Sequence, residues 1–394
     1  MARYKEYGYD IKDGVGIIPE WEMEIKEEAF DGCWELKSIE IPQWVKKIGK
    51  RAFFGCRNLK ALTLPEWLEE IGDSAFGFCS CLEEITLPRW TKKIGHRAFQ
   101  GCSSLTSISI PPSVTEIGDS AFSGCSSLTS ISIPPSVTEI GGWAFNRCSN
   151  LTSISIPPLV TEIREWAFSD CSSLTSISIP PSVKVIGYHA FSDCSSLTSI
   201  VVSKENKVYD SREDCNAIIH TESNTLIRGC ENTTIPASVT EIESHAFCGC
   251  IGLTSISIPP SVTEIGYGAF SGCSSLTSIS IPPSVTEIGD CAFSDCSNLT
   301  SISIPPSVTK IGDEVFYNCD KLCDTVIPPS VTSLGENVFG CDNDSSYNDE
   351  YDYDYDNPSY GRYAGSYAQD VEGWSDNDID DVFDGDPDAY WNID

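Results

Sequence analysis

Apolar and polar residues alternate in short bursts along this chain, and the bursts keep strict time. In the run from Leu105 to Ile110 the apolar residues Leu105, Ile108 and Ile110 recur at +3 and +5, which places them on one face of a short strand. Pro111 and Pro112 end that strand, because proline cannot donate to a ladder. Val114 and Ile117 bring the chain back over the same core, and Gly118 permits a tight bend. Asp119 or Ser120 caps a predicted single helical turn with Ala121, Phe122 and Cys125 on its inner side, and Gly124 releases it. The same string then begins again at Leu128.

The repeat is 23 residues long. Phe30, Phe53, Phe76, Phe99, Phe122, Phe145, Phe168 and Phe191 mark it, and the clock restarts at Phe247, Phe270, Phe293, Phe316 and Phe339. A cysteine follows three residues after each of the first twelve, from Cys33 to Cys319, with Cys341 one residue early in the last. One unit cannot bury its Leu, Ile, Val and Phe alone. Stacked units can, with like residues in ladders about 4.8 Å apart. An L-x-x-I-x-I core with a period between 20 and 29 is the mark of leucine-rich repeats.

The pattern breaks at both ends and once in the middle. Residues 1–17 are a polar lead-in, read as a loose cap. From Ile18 the first four units carry Trp21, Trp44, Trp67 and Trp90 where later units have Ser, and Glu22 and Thr91 replace the inner Val. The Phe191 to Phe247 gap is 56 residues, one repeat plus an insert near 201–234. Within it, residues 216–230 read as two strands joined at Glu222, Ser223 and Asn224, a hairpin.

At this point the chain resembles the BspA-like leucine-rich repeats, also called the Treponema pallidum type. The resemblance rests on the unit P-P-S-V-T-x-I-G-x-x-A-F-x-x-C-S-S-L-T-S-I and on the insert from Val208 to Ile242, and it covers about residues 18–341. It implies a curved solenoid with a parallel sheet on its concave side and a role in binding, since family members include bacterial surface adhesins. The expected fold is therefore an α/β-type repeat solenoid, single and right-handed. It has short parallel strands, one-turn helices on the convex side, about thirteen coils (one per Phe mark) and a hairpin insert.

Composition sharpens this in three places. After Cys341, residues 342–394 hold seventeen Asp or Glu against Arg362 alone. The part to about 366 has the low-complexity composition of a disordered segment. Near 375–384 a short helix capped by Ser375 would carry Ile379, Val382 and Phe383 on one side, flanked by Trp374, Tyr390 and Trp391, a candidate docking motif. The net charge of −33 argues against nucleic acid and anionic membrane surfaces as partners, since both need a basic footprint. No segment has the apolar length of a membrane span.

Nineteen cysteines would suggest a disulfide framework, but thirteen sit at one inward repeat position and read as a reduced core ladder of small hydrophobes. Cys215 and Cys230 share the insert and are left as a possible pair. The start of the chain lacks the apolar run of a signal peptide, so sequence suggests the cytoplasm while the resemblance suggests the surface or secretion.

Chemistry is absent from the pattern. Of the four histidines, His96, His189 and His245 fall two or three residues before the Phe at a freely varying position and are expected to face solvent. No metalloprotease, P-loop, dinucleotide or nucleophile-elbow motif occurs, and the 23-residue Cys spacing does not make a zinc site. No catalytic residue, cofactor or metal is expected.

The outward residues of the strands are serines, for example Ser107, Ser109, Ser130 and Ser132. They form a hydroxyl lane without the Trp, Tyr and Arg anchors that tight interfaces favour. The candidate protein-contact residues lie beside it: Trp44, Trp67, Trp90, Trp143, Trp166, Tyr188 and Tyr267 on the solenoid, and Trp374, Ile379, Val382, Phe383 and Trp391 on the tail. The expected function is a non-enzymatic, adhesin-like protein-interaction scaffold, a monomer with an unidentified protein ligand. The rival is a spacer rod whose acidic tail carries the recognition or sorting signal.

Overall fold

Each 23-residue unit closes one three-sided coil of a solenoid in the computed structural model, which describes residues 3–322 and 325–340. In the unit from Leu105 the first side is the strand Ser107–Ser109, the second the two-residue strand Glu116–Ile117, and the third the turn segment through Phe122. Leu105, Ile108, Ile110, Val114, Ile117, Ala121, Phe122 and Cys125 all point inward and are buried. Ser107, Ser109 and Glu116 alternate outward. The period-two pattern of the sequence thus becomes the wall of the coil, and stacking supplies what one unit lacks.

The two strand ladders differ in continuity. The Glu-Ile ladder is one parallel eight-stranded sheet from Glu24–Ile25 to Val185–Ile186, paired in strict 23-residue register such as Glu116 with Glu139 and Ile117 with Ile140. A second eight-stranded sheet runs through the insert to Ser333–Leu334. The Ser-Ile-Ser ladder is instead broken into short sheets, such as Glu84–Thr86 with Ser107–Ser109. Two prolines after most of these strands withhold two N–H donors from each coil. Past the Glu-Ile strands the coils approach closely: a Cβ on Gly95 would lie 2.6 Å from the backbone nitrogen of Asp73 and the carbonyl carbon of Gly72. The continuous ladder therefore runs beside these glycines rather than along the L-x-x-I-x-I strands.

The third side departs from the expected one-turn helix. Ser120 and Gly124 both take left-handed backbone, φ 55° and 72°, and two such residues within five positions break a right-handed helix. The segment is a pair of tight turns whose hydrogen bonds run between coils. The Phe99 N–H donates to the Ala121 oxygen at 2.8 Å, and the Phe122 N–H to the Ala144 oxygen at 2.8 Å. Among the described residues the helices are only Arg3–Glu6 and the short 3-10 turn Arg212–Asp214.

Inside this side the phenylalanines stack. Ring centroids from Phe30 to Phe191 lie 5.2 to 5.5 Å apart, and from Phe247 to Phe339 they lie 4.9 to 5.8 Å apart. From residue 3 onward the lead-in is built of regular elements rather than loose. Asp10–Lys12 and Val15–Ile17 form a hairpin whose second strand extends the first ladder onto Ser38–Glu40. The Tyr4 and Tyr9 rings stack on Phe30 at 5.7 Å and so close the Phe column at its start.

The insert is the expected hairpin, Ile218–His220 against Thr225–Arg228, extended by Tyr209–Asp210 to three antiparallel strands. Its side chains stand in for a missing coil. Asn216 Oδ1 accepts from the Ile200 N–H at 2.6 Å and Ser211 Oγ from the Val202 N–H at 3.0 Å. The hydrophobic interior divides here into two clusters, and the insert contributes to both: Tyr209, Ile218 and Cys230 to the first, Cys215, Ala217, Ile219 and Leu226 to the second, which runs on to Val338.

Candidate functional site

The tryptophan edge follows from one substitution per coil. In later coils the serine after the prolines turns back on the stack, as where Ser136 Oγ donates to the Val114 oxygen at 2.6 Å. An indole at that position cannot enter so tight a space and stays outside. Trp44, Trp67 and Trp90 are 65%, 46% and 43% exposed, and Trp21 and Trp34 are exposed on the coil before them. Trp67 and Trp90 stack with centroids 6.1 Å apart, and the Arg89 guanidinium lies 5.2 Å over the Trp90 ring.

The charges around this edge pair with one another from coil to coil: Arg89 with Glu66 at 3.0 Å, Lys92 with Glu69 at 2.6 Å and Lys47 with Glu70 at 3.7 Å. Such exposed pairs contribute little stability. They leave an apolar stripe with a neutralised rim.

A second aromatic row lies on the turn side. Trp143 and Trp166 stack at 4.9 Å, Trp166 stacks on His189 at 4.1 Å, His189 meets His245 edge-on at 4.1 Å, and His245 lies 4.8 Å from Tyr267. Tyr188 projects separately into solvent. His96 is exposed, as expected, but His189 and His245 are half-buried. The correction has a physical cause: the insert brings the coil of His245 directly beside the coil of His189, so the two imidazoles cover each other. Trp374, Ile379, Val382, Phe383, Trp391, Cys323 and Cys341 lie outside the described residues.

The same junction holds a group that the sequence pattern did not single out. Arg228 is 3% exposed. Its Nη1 donates to the His245 oxygen at 3.1 Å and the Cys248 oxygen at 3.0 Å, and its Nη2 lies 3.9 Å from Cys250 Sγ. Burial opposes its charge, and the neighbouring thiols and Asp193 favour it. Burial raises the Asp193 carboxyl above the ordinary range, against the pull of Arg228, and Cys248 Sγ contacts it at 3.8 Å. The signal was available in sequence: an arginine before a glycine, inside the gap in the Phe clock, flanked by two histidines in the same repeat register.

The cysteines are chemically quiet. All of those described are free, and Cys215 and Cys230 are not paired. Cys215 instead faces the Ala217 oxygen, and Cys230 Sγ accepts from Asn216 Nδ2 at 3.2 Å. Burial pushes Cys102, Cys148 and Cys194 each up to about 12. A thiol so placed is a poor nucleophile, because the thiolate is the reactive form. No group of three or more His, Cys, Asp or Glu among the described residues is placed to hold a metal, and no helix among them is long and apolar enough to cross a membrane.

Comparison with known proteins agrees with the geometry. No curated protein matches the chain. A leucine-rich repeat protein from Bacteroides ovatus matches at 28% identity over 81% of this chain and 79% of its own, with a TM-score of 0.52. A leucine rich cell surface protein from Faecalibacterium prausnitzii matches at 28% identity over 84% and 92%, with a TM-score of 0.55. Residues 23–130, 92–215 and 225–344 match the family described as BspA type leucine rich repeat region. With most of its length so matched and its 23-residue coils stacked as a solenoid, the chain belongs to the BspA type leucine-rich repeat family.

Proposed function

We propose that this solenoid is a non-enzymatic scaffold for protein–protein contact, adhesin-like in its mode of use, and that the Trp44, Trp67 and Trp90 edge is its principal contact surface. The observation that carries the reading is the exposure of three indoles in one register, rimmed by charges that pair with one another. Indole supplies large contact area at low entropic cost, and Trp, Tyr and Arg dominate interface hot spots. The Trp143 and Trp166 stack and Tyr267 offer a second patch, and the serine lane weak multivalent contact. The cell-surface description of the Faecalibacterium prausnitzii relative favours the adhesin-like reading.

The rival, a rod whose acidic tail does the recognising, is separated by affinity capture read by mass spectrometry. Three baits are compared: the full chain, the chain lacking residues 342–394, and the full chain with Trp44→Ser, Trp67→Ser and Trp90→Ser. Partners kept by the tail-less chain and lost by the triple variant support the edge. Partners lost only with the tail support the rod.

A further inference from the structure

The two hydrophobic blocks of the solenoid meet at the insert, where the phenylalanine column is interrupted and the buried Arg228 guanidinium lies beside it. The ring column stops at Phe191 and resumes at Phe247. Between them, on the turn side, His189 meets His245 at 4.1 Å, with the Trp166 and Tyr267 rings on either flank. Arg228 acts on both imidazoles, and further charged and titratable groups lie on the neighbouring elements. The His189 coil supplies Asp193 and Cys194, with Asp170 one coil earlier. The insert supplies Arg228, and the His245 coil supplies Cys248, Cys250 and Glu243. His189 Nδ1 lies 3.3 Å from Ser192 Oγ, while His245 Nδ1 is buried without a hydrogen-bond partner. Two neutral imidazoles thus lie beside one permanent buried cation.

We propose that this joint is an acid-released hinge: protonation of His189 and His245 sets two further positive charges against Arg228 and parts the two blocks, leaving the regular coils on either side intact. The device is independent of which surface binds a partner.

Magnitudes decide whether it can work. Burial first, then the other imidazole and Arg228, hold His245 down to about 4, and burial with Arg228 lowers His189. If opening restores an ordinary imidazole value near 6.5, His245 alone favours the open joint roughly thirty-fold between pH 7.5 and 5. Glu243 opposes this. Burial and Glu241 push it up to about 6, which favours the closed joint about eight-fold over the same interval. Asp193, also raised, acts in the same sense as Glu243, and His189 adds to His245. Between His245 and Glu243 alone the balance is about three-fold in favour of opening.

The test is hydrogen exchange by mass spectrometry on the full chain at pH 7.5 and 5, corrected for the intrinsic pH dependence of exchange. Protection in residues 226–250 is expected to fall about three-fold or more, with residues 105–127 unchanged. Glu243→Gln should deepen the fall toward thirty-fold, and the double variant His189→Asn, His245→Asn should abolish it. An equal change in both segments, no fall at all, or a fall that persists in the double variant overturns the proposal. Should the double variant not fold, NMR of histidine-labelled wild-type chain decides instead. Signals of His189 and His245 titrating well below 6.5 support the hinge, and both titrating near 6.5 sink it.

Discussion

The thiol of Cys125 donates a hydrogen bond to the backbone oxygen of Phe99, one coil earlier, across 3.2 Å. That oxygen already accepts the Cys102 N–H at 3.2 Å, so the thiol fills its second lone pair. The same contact, 3.0 to 3.3 Å long, recurs from Cys56 to Cys319 wherever two regular coils are stacked. Cysteine is thus small enough to fit between Phe columns and still supplies a donor. Cys125→Ala should cost about 1–3 kcal/mol, from the lost bond and the void left behind. An unchanged urea midpoint would show that the thiol matters only as volume.

These thiols also make the fold sensitive to alkali. Cys102, Cys148 and Cys194 are held at about 12, against an ordinary value of 9.0. Above pH 9 the unfolded chain releases protons that the folded chain keeps, so stability is intact below pH 9 and falls from there to pH 12. Each such thiol costs about 1.4 kcal/mol per pH unit in that window, so these three alone cost about 4. Thermal melts should hold steady to pH 9 and then drop steeply. A Tm flat to pH 11 would contradict the buried column.

Most of this architecture could be read from residue order. The 23-residue spacing of Phe122 and Phe145 forces their stacking once the coils are in register, and Asn224 between two apolar runs marked the hairpin. What was not legible came from contacts between units distant in sequence. Ser120 takes a left-handed backbone because its N–H is bound to the Gly142 oxygen of the next coil, which local helix propensity cannot register. His189 and His245 are 56 residues apart, and only the folding of the insert brings them face to face. At the tryptophan edge the reverse held: exposure was implied by a bulky ring where the repeat keeps a small hydroxyl.

Gly95 tests the close approach of the Glu-Ile ladder. A Cβ there would meet main chain of Asp73 and Gly72 as well as the Asp73 carboxylate, each at 2.6 Å, and the main chain cannot swing aside. Gly95→Ala should therefore destabilise by about 1–3 kcal/mol despite reducing the freedom of the unfolded chain. A neutral or stabilising result in urea unfolding would mean that the coils can slide apart locally at no cost.

Arg228 carries the last prediction, because its guanidinium replaces hydrogen bonds that an absent coil would have made. In the regular stack the Gly101 N–H donates to the Ser123 oxygen at 2.7 Å and the Gly124 N–H to the Asn146 oxygen at 2.8 Å. The corresponding oxygen on the first coil after the insert belongs to Cys248, and it is Arg228 that reaches it. The Gly229 N–H meanwhile takes the part of a phenylalanine and donates to the Ala246 oxygen at 2.8 Å. Arg228→Ala removes those donors and leaves Asp193 without its nearby cation, a loss of roughly 3–5 kcal/mol by analogy with broken buried pairs. Arg228→Met keeps the length but not the donors and should cost nearly as much, and Arg228→Lys cannot reproduce the planar fork. Because a solenoid is stabilised through nearest-neighbour interfaces, the damage should fall on one interface. Urea unfolding should split into two transitions, one for each block, in place of a single cooperative one. A single transition with an unshifted midpoint in Arg228→Met would mean that packing, and not donation, joins the blocks.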